Sequence, residues 1–165
     1  MEEYAITVVG IGNAYRSDDG IGLYVARQIE SLALSGVRVV EGIGDGFALL
    51  DAWADSDHTF VIDCASSGAS PGTTYHFDAL GESIPSNLFS GLSTHSISVN
   101  QVIELARVLN RLPRGLIVYG IEGKNFSAGI DLTTEVRQAA DKIIERIVVD
   151  IDSLINHYVT GSGNA

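Results

Sequence analysis

The sequence predicts an α/β fold with three layers: a mostly parallel, twisted sheet of about five strands, covered by helices on both faces. Short apolar runs of strand length alternate along the chain with longer segments of helical periodicity. The 165 residues amount to one domain, and 45% of them are hydrophobic, which is enough to fill a core. All three prolines fall between the periodic segments. We therefore expect a single domain over residues 1–158 and a flexible tail over residues 159–165.

Five segments are predicted to be strands. Most of them are short apolar runs, which is typical of strands buried on both faces of a parallel sheet. The fourth in chain order alternates polar and apolar residues instead, which predicts a strand with one solvated face. The predicted strands span residues 5–9, 37–40, 59–62, 73–77 and 116–119.

Four segments are predicted to be helices. The first begins at Asp18, whose side chain can cap the helix start, and the last is a long amphipathic helix. The predicted helices span residues 18–34, 46–54, 98–109 and 133–158. Residues 79–95 show only weak periodicity, and a loop of that length in a compact domain is usually functional.

The composition excludes some classes of partner. Ten Lys and Arg against 21 Asp and Glu give a net charge of −11, which disfavours nucleic acid and anionic membranes as main partners. It permits a metal, a cationic peptide or a protein surface, or an acidic surface that serves only solubility. The single cysteine, Cys64, can form no internal disulfide and is expected to be a small buried hydrophobic residue. With neither a signal peptide nor a membrane span in the sequence, we expect a cytoplasmic protein.

The end of the first strand carries a glycine-rich segment with two adjacent carboxylates. Residues 10–22 begin like a dinucleotide-binding fingerprint, but Tyr15 stands where the third glycine would be. Asp18 and Asp19 suit the positive end of a helix dipole but would repel a phosphate, so nucleotide binding is disfavoured. The glycines indicate a backbone that can be approached closely by another group, which favours a functional site. The alternative is one helix cap and one solvated carboxylate.

Two more polar residues are expected at the same edge of the sheet. Asp63 directly follows the third predicted strand, and His95 lies just before the third predicted helix. Ligands in such sheets bind at the carboxyl ends of the strands. Asp19, Asp63 and His95 would supply two carboxylate oxygens and one imidazole nitrogen, a set that suits nickel or zinc and leaves coordination positions open. A turn cap at Asp63 and a hydrogen-bonded structural role for His95 are the alternatives, and Glu122 points either to this crevice or to water.

The pattern Gly-x-Gly-Asn-x-x-x-x-Asp-Asp-Gly-x-Gly over residues 10–22 resembles the opening motif of the hydrogenase maturation proteases. The similarity continues through Asp63, residues 93–95, residues 120–122 and residues 129–133. These proteases process the large subunit of nickel-iron hydrogenases. The resemblance implies an endopeptidase that removes a C-terminal extension from the precursor, after a basic residue, once nickel has been inserted.

The resemblance also implies roles for individual residues. Asp19, Asp63 and His95 would be the catalytic and nickel-binding residues, with the nickel supplied by the substrate and no organic cofactor. Whether a metal-bound or an aspartate-activated water attacks the peptide stays open.

Two departures from the family pattern concern the substrate. The family often has Asp-Gly-Gly-Thr-x-Gly where residues 41–46 stand here, so Glu41, Gly42 and Gly44 are predicted to take part in substrate recognition. Gly123 stands where the family often has proline. The altered loop keeps one alternative open, a metallochaperone or checkpoint protein that binds a nickel-loaded partner without cutting it.

Overall fold

The computed structural model describes residues 5–42, 46–89 and 97–161, and five strands within them form one sheet. The strands are β1 (Ile6–Gly10), β2 (Val37–Glu41), β3 (His58–Ala65), β4 (Thr74–Asp78) and β5 (Gly115–Glu122). Their order is β2-β1-β3-β5-β4; every neighbouring pair is parallel except β4 with β5. Exposed and partly buried residues alternate along β4, as its sequence predicted. The predicted fold class is confirmed.

Helices cover both faces of the sheet. One face packs against α1 (Ile21–Ser31) and α4 (Thr134–Gly161), and the other against α2 (Gly46–Trp53) and α3 (Val99–Val108). The Ser98 side chain and the Gln101 side chain cap the start of α3 reciprocally. Within the three described ranges, no helix is both long and apolar enough to cross a membrane.

The first helix begins later than the sequence predicted. Residues 17–20 form a separate 3₁₀ turn, and α1 starts at Ile21 with Gly20 rather than Asp18 at its N-cap. Asp18 does not cap a helix because its carboxylate accepts hydrogen bonds from residues 124–133, a segment far away in sequence. The expectation of a cap at Asp18 was therefore wrong.

The other element boundaries differ in ways that matter for the site. β3 continues through Asp63 to Ala65 because its pairing with β5 extends to the end of that strand, so Asp63 lies within a strand rather than after it. α4 runs to Gly161, past the predicted end at residue 158. The described part of the weakly periodic stretch buries Ala79, Leu88 and Phe89 in the core, while residues 90–95 lie outside the described ranges.

The strand order places a crevice between β1 and β3. The chain leaves β1 through α1 to β2 on one side, then returns past β1 to β3 on the other side. The connections at the carboxyl ends of β1 and β3 therefore diverge, which is where open α/β sheets bind ligands. Both predicted carboxylate ligands lie on elements that meet there.

Candidate active site

Asp19 and Asp63 flank the crevice from two elements. Asp63 comes one residue after Ile62, which pairs with Gly10 at the end of β1, and the Ile11 amide donates to the Ile62 carbonyl at 2.9 Å. Asp19 lies in the 3₁₀ turn that follows the same end of β1. The charge of Asp19 contributes to raising the pKa of Asp63, so the two carboxyl groups lie within electrostatic range. The fold thus places these two predicted residues at the same edge of the sheet.

The Asp19 carboxylate is held by the glycine-rich segment. The Asn13 amide donates to Asp19 Oδ2 at 3.2 Å and to the Asp19 carbonyl at 3.3 Å. Partial burial raises the pKa of Asp19, while the Arg16 charge and the Asn13 amide oppose that rise. The segment therefore presents this carboxylate toward the crevice on a short, hydrogen-bonded turn.

The surroundings of Asp63 disfavour its charge. Burial raises the pKa of Asp63 to about 8, the Cys64 amide opposes the rise by donating to Oδ1 at 2.8 Å, and the Asp19 charge adds to it. Two neighbouring carboxyl groups in a partly desolvated place both gain from a cation that binds beside them. The donor set therefore fits a metal ion or a cationic group of a substrate.

Asp18 has a different role from its neighbour. It is fully buried, and its carboxylate accepts hydrogen bonds from the amides of Lys124, Asn125 and Thr133 and from the Thr133 hydroxyl, all at 2.8–2.9 Å. Burial alone would raise the pKa of Asp18, but these four donors together lower it below its ordinary value. Asp18 therefore fastens the turn that carries Asp19 to the segment before α4.

Glu122 organises the loop after β3 and is not exposed to water. This residue is 2% exposed. Its Oε1 accepts the amides of Ser67 and Gly68 at 2.8 and 3.0 Å, and its Oε2 accepts the hydroxyls of Ser67 and Tyr75 at 2.9 and 3.2 Å. Sequence reasoning left the direction of this side chain open. A polar residue at the end of a buried strand was the only signal for it.

Glu41 and Gly42, two of the predicted substrate-recognition residues, lie at the end of β2, on the opposite side of β1 from β3. Glu41 ends β2 and forms a bidentate ion pair with Arg27 of α1, with the Glu41 oxygens 2.9–3.2 Å from the guanidinium nitrogens. Gly42 has a φ of +71° and donates its amide to the Gly10 carbonyl at 3.2 Å.

Gly44 and His95 lie outside the described residues. Among the residues that are described, no cluster of three His, Cys, Asp or Glu side chains has a metal-binding arrangement.

Two glycines serve packing rather than ligand approach. A Cβ on Gly10 would lie 2.7 Å from the Ala26 Cβ, and one on Gly22 would overlap the backbone of Ile11 and Ile62. The close approach that the sequence indicated at Gly10 is therefore that of helix α1 to the sheet.

Cys64 and Gly123 lie behind the crevice. Cys64 is buried, as predicted, and burial raises the pKa of its thiol, which keeps it protonated. Gly123 donates its amide to the Ala65 carbonyl at 3.0 Å, and a Cβ there would lie 2.8 Å from Cys64 Sγ. A proline could not make that hydrogen bond, so glycine fits this position.

Comparisons with known proteins agree with this fold. A family model described as HycI, hydrogenase maturation protease, matches residues 23–150. The hydrogenase 2 maturation protease of Escherichia coli K12 is 25% identical over 146 residues, which cover 87% of this chain and 88% of that protein. A solved structure of the hydrogenase maturating endopeptidase HybD from E. coli superposes with a TM-score of 0.73 at 23% identity, covering 90% of this chain and 92% of that one.

The [NiFe] hydrogenase maturation protease HybD from Thermococcus kodakarensis has a TM-score of 0.62 at 25% identity, covering 88% of this chain and 97% of that one. The matched family range includes Asp63 and His95 and begins after the turn that carries Asp19. Relatives named as proteases favour an enzyme over a binding module that does not cut. The chain belongs to the hydrogenase maturation protease family.

Proposed function

We propose that this protease removes the C-terminal extension from a nickel-loaded precursor of a nickel-iron hydrogenase large subunit. Asp19, Asp63 and His95 bind the nickel of the substrate, which reports that the metal centre has been filled. The observation that supports the proposal is that Asp19 and Asp63 lie on two elements that meet at the crevice between β1 and β3, within electrostatic range of each other. Membership of the family supplies the reaction class.

The charges at the crevice support a cationic ligand. A divalent ion favours the ionised form of both carboxyl groups, and such an ion is exchanged most easily when the protein leaves some of its positions open. The net charge of −11 adds a long-range attraction for a basic residue before the cleavage point. Metal and basic residue would together orient the scissile peptide over the crevice.

Peptide hydrolysis then requires one water molecule. Its oxygen adds to the carbonyl carbon of the scissile bond, the C–N bond breaks, and the departing extension gains a proton on its new amino terminus. The carboxylates orient the substrate so that this bond lies next to the water, and orientation of reactants is a large part of enzymatic rate enhancement. The product retains its nickel and loses the extension.

The proposal is tested by incubating the protein with nickel-loaded and nickel-free precursor and following the precursor mass by mass spectrometry. We expect cleavage of the loaded form only, and a rate at least about 100-fold lower for Asp19→Asn, Asp63→Asn and His95→Gln. Asp152→Asn, which removes an exposed carboxylate on α4, is the matched control and should cleave at the wild-type rate. Equal cleavage of both precursor forms, or unchanged rates in the Asp19 and Asp63 variants, would contradict the proposal.

A further inference from the structure

Two large apolar side chains project into solvent beside the turn that carries Asp19. Tyr15 is 75% exposed and Ile130 is 74% exposed. They come from segments far apart in sequence, but an isolated parallel bridge joins Arg16 to Gly129, the residues next to each of them. Single exposed hydrophobic residues are common on protein surfaces. Two that flank the same backbone bridge favour a surface that binds another molecule.

The backbone that carries this pair is held firmly. The Gly129 amide donates to the Tyr15 carbonyl at 3.0 Å, and the Ser17 amide donates to the Gly129 carbonyl at 2.9 Å. Ser17 is buried with a φ of +52°, a conformation that costs a non-glycine residue free energy. Its hydroxyl donates to the Ser127 carbonyl at 2.8 Å, which helps to fix that conformation. The two side chains are therefore presented from a preorganised backbone, which lowers the entropic cost of binding.

The same turn links this pair to the carboxylates of the crevice. The Asn13 side chain accepts the Tyr15 amide at 2.9 Å, while the Asn13 amide donates to Asp19. Tyr15 therefore belongs to the same hydrogen-bonded turn as Asp19.

We infer that Tyr15 and Ile130 form a docking patch for an apolar segment of the precursor polypeptide. The patch lies next to the carboxylates proposed to bind the nickel of that precursor. The inference rests on the proposed function and names a part of the substrate surface that the metal ligands do not contact. A protease of this family acts on a protein, so its crevice must adjoin a surface that contacts polypeptide. The patch supplies the apolar contact, and the carboxylates supply the charged one.

Steady-state cleavage of the nickel-loaded precursor tests the patch with the double variant Tyr15→Ser and Ile130→Ser. We expect KM to rise about tenfold or more with kcat within about twofold, because the substitutions remove binding contacts and leave the reacting groups in place. Tyr15→Leu should retain most of the wild-type affinity. The matched control is Val149→Ser with Val159→Ser, which truncates two residues on α4 that are 62% and 68% exposed, and it should leave KM unchanged.

The outcomes separate the two proposals. A wild-type protein that neither binds nor cleaves any loaded precursor contradicts the proposed function and the patch with it. An active wild type with an unchanged KM in the Tyr15 and Ile130 double variant overturns the patch alone. A change of oligomeric state on gel filtration, with KM unchanged, would assign the pair to self-association instead and would also overturn the inference. Equal melting temperatures exclude misfolding as the cause of a raised KM.

Discussion

The Asp18 carboxylate accepts two hydrogen bonds from Thr133, one from its amide at 2.8 Å and one from its hydroxyl at 2.9 Å. The amides of Lys124 and Asn125 complete the set, each at 2.9 Å. These bonds join the turn after β1 to the segment that leads into α4. The backbone position of Asp19 therefore depends on Asp18, whose carboxylate has a structural role.

Asp18→Asn should lower the free energy of unfolding by about 2 kcal/mol, because an amide group would turn one acceptor into a donor that faces another donor. Urea denaturation measures the change, and Thr133→Val, which removes one bond only, should cost about 1 kcal/mol. The lowered pKa of Asp18 makes its contribution present above its unfolded value of 3.8 and lost as the pH falls through the lower folded value. The gap between wild type and variant should therefore close in acid. An unchanged urea midpoint for Asp18→Asn at pH 7 would contradict this role.

Gly22→Ala should destabilise the protein by about 3 kcal/mol or more, although alanine favours helices by about 1 kcal/mol over glycine. A Cβ at this position would overlap the backbone of Ile11 and Ile62, so α1 would have to move away from β1 and β3. Thermal denaturation checks the sign. Gly81→Ala is the matched control, since no atom lies within 4 Å of a Cβ there, and its effect should stay within about 0.5 kcal/mol. A stabilised Gly22 variant would show that propensity outweighs packing.

The sequence was sufficient to predict the sheet and the location of the crevice. Short apolar runs separated by helical segments leave few possible topologies, and the carboxyl ends of parallel strands meet at one edge. These two rules predict that Asp19 and Asp63 lie at the same edge of the sheet. The alternating pattern of β4 also indicated a strand with one solvated face, but neither its edge position nor its antiparallel direction.

The sequence could not predict that Asp18 has a structural role and Asp19 does not share it. The two residues are chemically identical and adjacent, and only contact with residues 124–133 makes one structural. The same reason applies to Gly10 and Gly22, whose sequence pattern indicates a close approach but not the partner that approaches. Such assignments depend on long-range contacts, which local periodicity does not encode.

Glu122→Ala should lower the free energy of unfolding by about 3 kcal/mol, because four donors from the loop after β3 and from β4 lose their acceptor in a buried place. Glu122→Gln is the sharper control. Its carbonyl oxygen can still accept the amides of Ser67 and Gly68, and its amide group can donate to the hydroxyls of Ser67 and Tyr75. We expect that variant to lose only about 1 kcal/mol in urea denaturation. Equal losses in both variants would show that the charge matters more than the bonding pattern.

Asp63→Asn should stabilise the protein at neutral and alkaline pH while it abolishes cleavage. The pKa of Asp63 is about 8 in the folded state and 3.8 in the unfolded chain, so the folded state holds a proton that the unfolded state has released between these values. Wild-type stability therefore falls as the pH rises from about 4 to about 8, whereas asparagine has no proton to lose. The advantage of the variant should grow from near zero at pH 4 to about 2 kcal/mol or more at pH 8.5, allowing for partial exposure of the side chain.

Thermal denaturation of wild type, Asp63→Asn and Asp152→Asn at pH 4, 6 and 8.5 measures this dependence. The exposed control should follow the wild type at each pH. A constant difference between wild type and Asp63→Asn across that range would show that Asp63 is ionised in the folded protein at neutral pH. Burial and the Asp19 charge would then not suffice to keep Asp63 protonated before substrate binds. A difference that grows with pH instead identifies Asp63 as a residue kept at the expense of stability, which is the pattern expected of a functional carboxylate in a desolvated site.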